Sequence, residues 1–535
     1  MSPWLLAALM LILPFEPLAP LARVAGLQVS TLEAGAAVLL GGAALGVASR
    51  GSRLRVPLAV PVVLLLATFL VSAVLAEGLP PLKFTARMAA GVTAFFIAAN
   101  AFAQSPRFPL LFSGLSLAGA LTAAVALLEL GPWSLGSLLA PFREHAFEVG
   151  GRARAAATFA YPNIAGGFLA LALAPTLFFA LRERTRAVAT ISACALTLAL
   201  LLTYSRGALL GAAASAFTLW WLVRSRPLLR LEFGLLGIAA AFFAFDPTFR
   251  SRAASESDRG WYEARIEPRL ESLALAPGEL TKTDVRISNA GTLTWRSKGE
   301  KPFHLSYRWF VVEKGALRPL SLEGERTGLE VGLEPGETVD VAAIVRAPPT
   351  AGNYVLVWDM VHEHTTWFSD KTGLGVAVNV AVGRTNGAFA LADALRETVA
   401  QKSWRPGRTE LWAIALELFR AHPLFGVGPD NFRWLYGPAS GRSAWDTRVN
   451  ANSLYLEILS TVGVIGLGAF VLLMAKALSD LGKHRSLEAA TLAAALIGFL
   501  AHGIFDYLLA FTPIYLAIFT LLGASSAMIH GEASP

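Results

Sequence analysis

Apolar runs of about 17 to 22 residues recur along the chain, and no other feature constrains its fold so tightly. They cover residues 3–22, 31–49, 56–76, 88–104, 108–130, 163–181, 187–204, 207–223, 229–246, 454–476, 487–506 and 511–529. Each is long enough to cross roughly 30 Å of hydrocarbon as a helix. Helix is the required form there, because backbone groups in lipid must find their partners within the segment. Composition agrees: 55% of the 535 residues are hydrophobic and 16% are charged, against about 25% charged in soluble domains. The expected architecture is mainly α, a polytopic membrane bundle of about twelve transmembrane helices. A single cysteine, Cys194, excludes a disulfide framework and a cysteine-based metal site.

Net charge is +7, which in a membrane protein collects in short loops on one side and near lipid phosphates. No recognition-helix pattern or aromatic RNA-binding signature accompanies it, so nucleic acid is not an expected partner. The N-terminus lacks a basic region and a clear cleavage site, which reads as a retained first span. Four basic clusters fall on one side of the twelve spans: Arg50, Arg53 and Arg55; Arg182, Arg184 and Arg186; Arg224, Arg226 and Arg230; Lys476, Lys483 and Arg485. That side is expected to be cytoplasmic and to hold both termini. Arg206, Arg408 and Arg448 sit on the opposite side against the bias, which marks them as candidates for function.

Residues 247–453 are too many for a simple loop. Between 270 and 383, short alternating runs such as 283–288, 303–312, 338–345, 354–358 and 375–382 are split by Gly, Pro and Asn, the pattern of a β-sandwich. Asn289-Ala290-Gly291 leads to Trp295, Trp309, Trp358 and Trp367 follow, and Pro349 to Tyr354 makes a later turn. This resembles the Ig-like four-tryptophan domain. His362 and His364 beside Glu363 read as a surface histidine pair without a third metal ligand. Phe389 to Val399 has helical spacing suited to a membrane surface or to packing on the sandwich. The expected division is 1–246 bundle, 265–385 inserted sandwich, 386–453 outer loop and 454–535 C-terminal helices.

Three outer segments carry the chemistry. Arg152 to Gly167 contains Arg154, Thr158-Phe159 and Pro162-Asn163 at a helix start, whose free amides can also hold a phosphate. Tyr204-Ser205-Arg206-Gly207 is a tight turn with an arginine at its tip. The stretch from Arg405 to Glu457 gathers Arg408, His422, Arg433, Arg442 and Arg448 around Gly426-Val427-Gly428-Pro429-Asp430-Asn431. Charge, donors and tight turns at a membrane face suit an anionic, polar-headed lipid. His502 and Asp506 share an i, i+4 face and read first as a buried pair tightening the bundle, with a substrate role second.

Together these segments resemble the O-antigen ligase and polymerase superfamily. The matching residues are Thr158-Phe159 with Pro162-Asn163, Ser205-Arg206-Gly207-Ala208, Arg408…Trp412…Pro423-Leu424-Phe425-Gly426-Val427-Gly428, Tyr455-Leu456-Glu457 and Gly463-Val464-Ile465-Gly466. The resemblance implies a GT-C-like transferase of a bacterial inner membrane that moves a glycan from an undecaprenyl-diphosphate carrier to a glycan, lipid or protein acceptor on the outer face. It implies neither a cofactor nor a metal. Arg206 and Arg408 are then the residues to neutralise the diphosphate, bidentately and from fixed positions. Arg154, Asn163, Arg448, Asn431, Tyr455 and Glu457 are expected to bind substrate.

One position departs from the pattern. Where the ligases carry a histidine before Tyr-Leu-Glu, this chain has Asn452, which cannot take a proton at neutral pH but can orient a hydroxyl. His422, Asp430, Asp446 or Glu457 could serve as base instead, or the acceptor needs little activation; His422 also reads as a helix C-terminal cation. The competing reading is a non-catalytic glycolipid-binding or scaffold protein. A transporter fits less well, because the polar residues gather at one face and not at the midplane.

Overall fold

The computed structural model describes residues 2–24, 27–49, 54–76, 78–131, 133, 135–255, 259–313, 316–373, 375–383, 406–442 and 445–528. Arg50, Arg53, Arg405 and the Phe389–Val399 segment lie outside the described residues. The chain is mainly helical with a β-sheet region. Among the described residues seven helices are long and apolar enough to cross a membrane: α2 (Thr31–Ala48), α4 (Leu79–Gln104), α5 (Phe108–Glu129), α6 (Pro162–Ala180), α8 (Arg206–Val223), α9 (Arg226–Phe245) and α11 (Leu454–Leu481). Five shorter apolar helices occupy the remaining expected runs: α1 (Ser2–Ile12), α3 (Ala59–Leu75), α7 (Arg186–Leu202), α12 (Leu487–His502) and α13 (Thr512–Met528).

Two boundaries differ from expectation for physical reasons. Helix α1 stops at Ile12, not near 22, because Pro14, Pro17 and Pro20 cannot continue a helix. Helix α4 begins at Leu79, nine residues before the apolar run, with proline in its first turn. Its early turns therefore carry Lys83 and Arg87, which a hydropathy reading leaves outside the span. Arg87 meets Glu33 of α2 at 3.3 Å, the kind of pairing an intramembrane charge requires.

Small residues bring the helices together, as expected where lipid supplies no hydrophobic drive between them. A Cβ on Gly211 of α8 would lie 2.7 Å from the Gly498 carbonyl of α12, and one on Gly498 would lie 2.8 Å from the Gly211 carbonyl. Gly523 of α13 would collide with the Phe95 carbonyl of α4, and Gly114 of α5 with the Ala7 carbonyl of α1.

Helix α11 is broken at Gly463, whose φ of 76° and ψ of −175° are closed to residues with a Cβ. The loop 423–428 fills the break. Val427 N–H donates to the Ser460 carbonyl at 3.0 Å and Gly428 N–H to the Thr461 carbonyl at 2.9 Å. In the other direction Val464 N–H donates to the Pro423 carbonyl at 2.9 Å. A Cβ on Gly426 would strike the Thr461 backbone, and one on Gly463 the Leu424 carbonyl. The Pro-Leu-x-Gly-x-Gly and Gly-x-x-Gly motifs are thus two halves of one backbone junction.

The sandwich comprises β1 (Ala264–Pro268), β2 (Ser272–Leu275), β3 (Leu280–Asn289), β4 (Phe303–Glu313), β5 (Ala316–Glu323), β6 (Thr327–Gly328), β7 (Thr338–Arg346), β8 (Gly352–His362), β9 (Thr366–Trp367) and β10 (Val376–Val382). One sheet runs β6-β4-β8-β10-β2, with β5 paired to β4 and β9 to β8; the other runs β7-β3-β1. All pairings are antiparallel except β10 with β2. Trp295, Trp309 and Trp358 are fully buried between the sheets. The Asn289 amide donates to the Leu293 and Leu333 carbonyls, while its oxygen accepts from Gly291 N–H. The Tyr354 hydroxyl donates to the Thr350 carbonyl at 3.0 Å. His362 is not the surface residue expected from the strand pattern. It is buried, stacked on Phe303 at 4.1 Å between ring centroids and 3.3 Å from the Tyr262 hydroxyl.

The sandwich core does not end at the sandwich. Val149, Leu201, Tyr204 and Phe249 of the helical part belong to the same buried cluster as Trp261, Tyr262 and the strand residues. Lys301 bonds Glu148 at 3.1 Å and the Gly151 carbonyl at 3.2 Å.

Replacing Gly463 with alanine is expected to cost about 3 kcal/mol or more, since the new Cβ meets both a forbidden φ/ψ region and a fixed carbonyl. Thermal melting in detergent checks this; Gly468→Ala, which has open space around its Cβ position, should leave the melting temperature unchanged.

Candidate functional site

The hairpin Phe147–Val149 with Arg152–Arg154 ends next to the start of α6. From there Arg154 reaches two motifs at once: Nε donates to the Thr203 carbonyl at 2.9 Å and Nη2 to Asn163 Oδ1 at 2.9 Å. Asn163 stands in the first turn of α6, where Pro162 needs no amide partner. Its Nδ2 donates to Asp506 Oδ2 at 2.8 Å. Asp506 lies in the short loop between α12 and α13 and also accepts Tyr507 N–H at 3.0 Å.

His502 closes α12 with Nε2 3.8 Å from Asp506 Oδ2. Its ring is 1% exposed and is held between two glycines. A Cβ on Gly207 would approach its Cδ2 to 2.8 Å, and one on Gly167 its Cε1 to 3.1 Å. The glycines of the first two motifs therefore make room for this imidazole. Burial by itself would raise the Asp506 carboxyl, but the His502 contact and the positive charge of Arg408 hold it below the usual carboxylate value.

Arg408 opens α10 (Arg408–Ala421). Its Nε is buried with no hydrogen-bond partner among the described residues. One turn on, Trp412 stacks on Phe505 at 6.2 Å, and its Nε1 points to the Asn452 carbonyl at 3.5 Å. Arg206 is the first residue of α8, half-buried and adjacent to the glycine that packs on His502.

Asn452 adopts φ of 48°, a left-handed conformation that asparagine tolerates better than most residues. Its N–H donates to Asn450 Oδ1 at 2.9 Å. Tyr455 and Glu457 secure the start of α11: the phenol donates to the Leu500 carbonyl at 2.8 Å, and Glu457 Oε2 accepts Ala451 N–H at 2.7 Å. Asn431 shapes the glycine loop through Nδ2 to the Val427 carbonyl at 2.9 Å. Beside it Asp430 pairs with Arg433 at 2.7 Å, although burial keeps its carboxyl above the usual value. Arg448 is exposed, bonded to Asp446 at 3.0 Å, and its charge acts on the Tyr161 phenol next to Pro162.

Arg154, Asn163, Arg408 and the Arg206 turn are thus brought together, with Asn452 beside them through Trp412. His422 is not. It caps the far end of α10 and is exposed, and a helix of 14 residues separates it from Arg408 by roughly 20 Å.

His502 and Asp506, first read as a pair that tightens the bundle, are the link between the segments. The signal available was a polar i, i+4 pair at the outer end of a span together with glycines at the same depth in two motifs.

The comparison with family models matches residues 364–471 to Wzy_C, O-Antigen ligase. The matched segment is similar to an O-antigen ligase domain. It runs from the end of the sandwich through α10, the glycine loop and the broken part of α11, about a fifth of the sequence. The seven candidate spans found among the described residues indicate an integral membrane protein.

A comparison with curated proteins gave no match. Solved structures share little with the chain. The sporulation control protein Spo0M of Bacillus subtilis is 15% identical, with 30% of this chain and 55% of that protein covered, at a TM-score of 0.16. The chain thus spans about half of Spo0M. A PapD-like domain of human CEP192 is 18% identical, with 24% and 89% covered, at 0.15. The DNA glycosylase AlkC of Pseudomonas fluorescens is 11% identical, with 60% and 96% covered, at 0.13.

A carboxyl held below its ordinary value stabilises the folded protein while ionised, and that stabilisation is lost as pH falls through the lowered value. The protein is therefore expected to lose more thermal stability between about pH 6 and about pH 3 than Asp506→Asn, which has no such proton to bind. Melting curves of both proteins across that range provide the measurement.

Proposed function

We propose that the protein is a glycosyltransferase that moves a glycan from an undecaprenyl-diphosphate carrier to a hydroxyl acceptor on a glycan, lipid or protein. It would work without a metal at the outer face of a bacterial inner membrane. About twelve helices span the membrane, both termini face the cytoplasm and the sandwich stands outside. One observation carries the reading: segments that resemble the ligase motifs gather around a single carboxylate. Asn163 of the first bonds Asp506, the charge of Arg408 of the third acts on it, and Gly207 of the second packs on the His502 ring that faces it. The ligase family match covers Arg408 and the glycine loop independently of that geometry.

The acceptor oxygen forms the new bond to the anomeric carbon while that carbon's bond to the diphosphate oxygen breaks. Negative charge builds on the diphosphate, and Arg206 and Arg408 neutralise it from fixed helix starts. Arg154 and Asn163 serve mainly to position the α6 start against the Arg206 turn, since their donors are already engaged there. Arg448 guards the rim beside Tyr161. Asn452 orients the acceptor hydroxyl, whose proton goes to the departing diphosphate. His422 has no part in this scheme. The scaffold reading draws on Asn452 alone and predicts carrier binding without transfer.

Arg206→Ala and Arg408→Ala are each expected to lower transfer about 10²- to 10³-fold, the usual effect of removing a charge-stabilising donor. Lysine at either position should recover only part of the loss, because it cannot bind bidentately. In vitro transfer from an undecaprenyl-diphosphate glycan, followed on a gel, measures both. Full transfer by both alanine variants would overturn the proposal. Asn452→His should raise transfer and Asn452→Ala lower it, and the same assay reads both.

A further inference from the structure

A cleft between α2, α4 and α13 belongs to no part of the arginine cluster. It consists of two adjoining spaces that share Glu33 and Arg87. One, about 260 Å³, is an open, mainly apolar groove lined by Ala37, Leu40, Ala90 and Leu516 beside Lys83. The other, about 290 Å³, is about half polar. Glu16, Ser30, Glu33, Arg87, Thr158 and Thr512 line it, with Phe159 and Phe511 as aromatic walls.

The polar groups are built in. Ser30 caps α2: its N–H donates to Glu33 Oε2 at 2.8 Å and its hydroxyl to Glu16 Oε1 at 2.9 Å. Glu33 Oε1 then takes Arg87 at 3.3 Å. Thr158 lines the chamber and is 5% exposed, and its hydroxyl is buried with no hydrogen-bond partner among the described residues, an unsatisfied polar atom at the chamber wall. Thr158 is also the first residue of the Thr-Phe-x-x-Pro-Asn motif, and no contact in the arginine cluster uses it.

We infer that this cleft binds the acceptor, a sugar-headed lipid whose chain lies in the apolar groove and whose first sugar fills the polar chamber. Two carboxylates, three hydroxyls, one guanidinium and two aromatic rings are the chemistry of sugar hydroxyl and ring-face recognition. Glu16 and Glu33 facing Arg87 and Lys83 leave no excess positive charge, which disfavours a phosphate head. Position supports the assignment. The segments walling the chamber, 158–164 and 510–513, run through Asn163 and close behind Asp506 in sequence, so the chamber wall continues into the polar cluster.

Acceptor identity rests on the transfer reading, but occupancy of the cleft is testable without it. The full chain in phosphatidylcholine nanodiscs would be photolabelled with a diazirine-tailed decyl glucoside, and the labelled peptides mapped by mass spectrometry. Labelling is expected on α2, α4 and α13. Dodecyl glucoside should compete it away, whereas dodecylphosphocholine should not. Ala37→Trp, which fills the groove from an exposed position, should cut labelling about fivefold or more with an unchanged melting temperature, and Glu33→Gln should weaken glucoside competition about fivefold, near 1 kcal/mol.

Absence of label on these helices, equal competition by dodecylphosphocholine, or indifference to Ala37→Trp would each overturn the inference. The transfer reading fails separately. Labelling of the cleft by a protein that transfers nothing sinks transfer alone, whereas transfer without labelling sinks the cleft alone.

Discussion

The architecture hangs on a stretch of backbone pairing inside the membrane part of the protein. Helix α11 gives up its own hydrogen bonds around Gly463, and the loop 423–428 supplies replacements from outside. In hydrocarbon an unpaired amide costs several kcal/mol, so the break and the loop are stable only together. This fixes the level of the loop against α11 and, through α10, the place at which Arg408 begins. Ser72 of α3 adds a further bond to the Thr461 carbonyl at 2.8 Å. The arginine is thus located by backbone geometry well away from its own side chain.

A second dependence runs through glycine and histidine. His502 occupies space that exists only because Gly167 and Gly207 lack side chains. The same residues form the starts of α6 and α8, which carry Asn163 and Arg206. Helix starts that present free amides and a fixed positive field are thereby packed around one imidazole and one carboxylate. Motifs that seem to be separate binding elements share a common mechanical core.

Much of this was legible in the sequence where one physical signal dominated. Apolar length located the helices to within a few residues, except where proline ended α1 early or where Lys83 and Arg87 hid the first turns of α4. Alternation and the tryptophans located the principal strands, while β2 and β5, which lack clean alternation, emerged only in the fold. The loop glycines were visible as a motif, but their partner was not, because pairing between Pro423 and Val464 is a tertiary event with no local pattern. His502 and Asp506 illustrate the same limit. Spacing correctly paired them, yet only the fold brings Asn163 to the carboxylate, and the loss of His422 as a neighbour follows from the length of α10.

The sandwich shares its hydrophobic interior with Tyr204, whose hydroxyl is bonded to Asp246 at 2.7 Å, and with the hairpin that carries Arg154. Tyr204 holds a left-handed φ of 52° two residues before Arg206. The insert is therefore a buttress and not a bead on a string. Grafting a foreign sandwich in place of 264–382 would strip the arginine turn of the packing that Tyr204, Val149 and Phe249 now share with the insert.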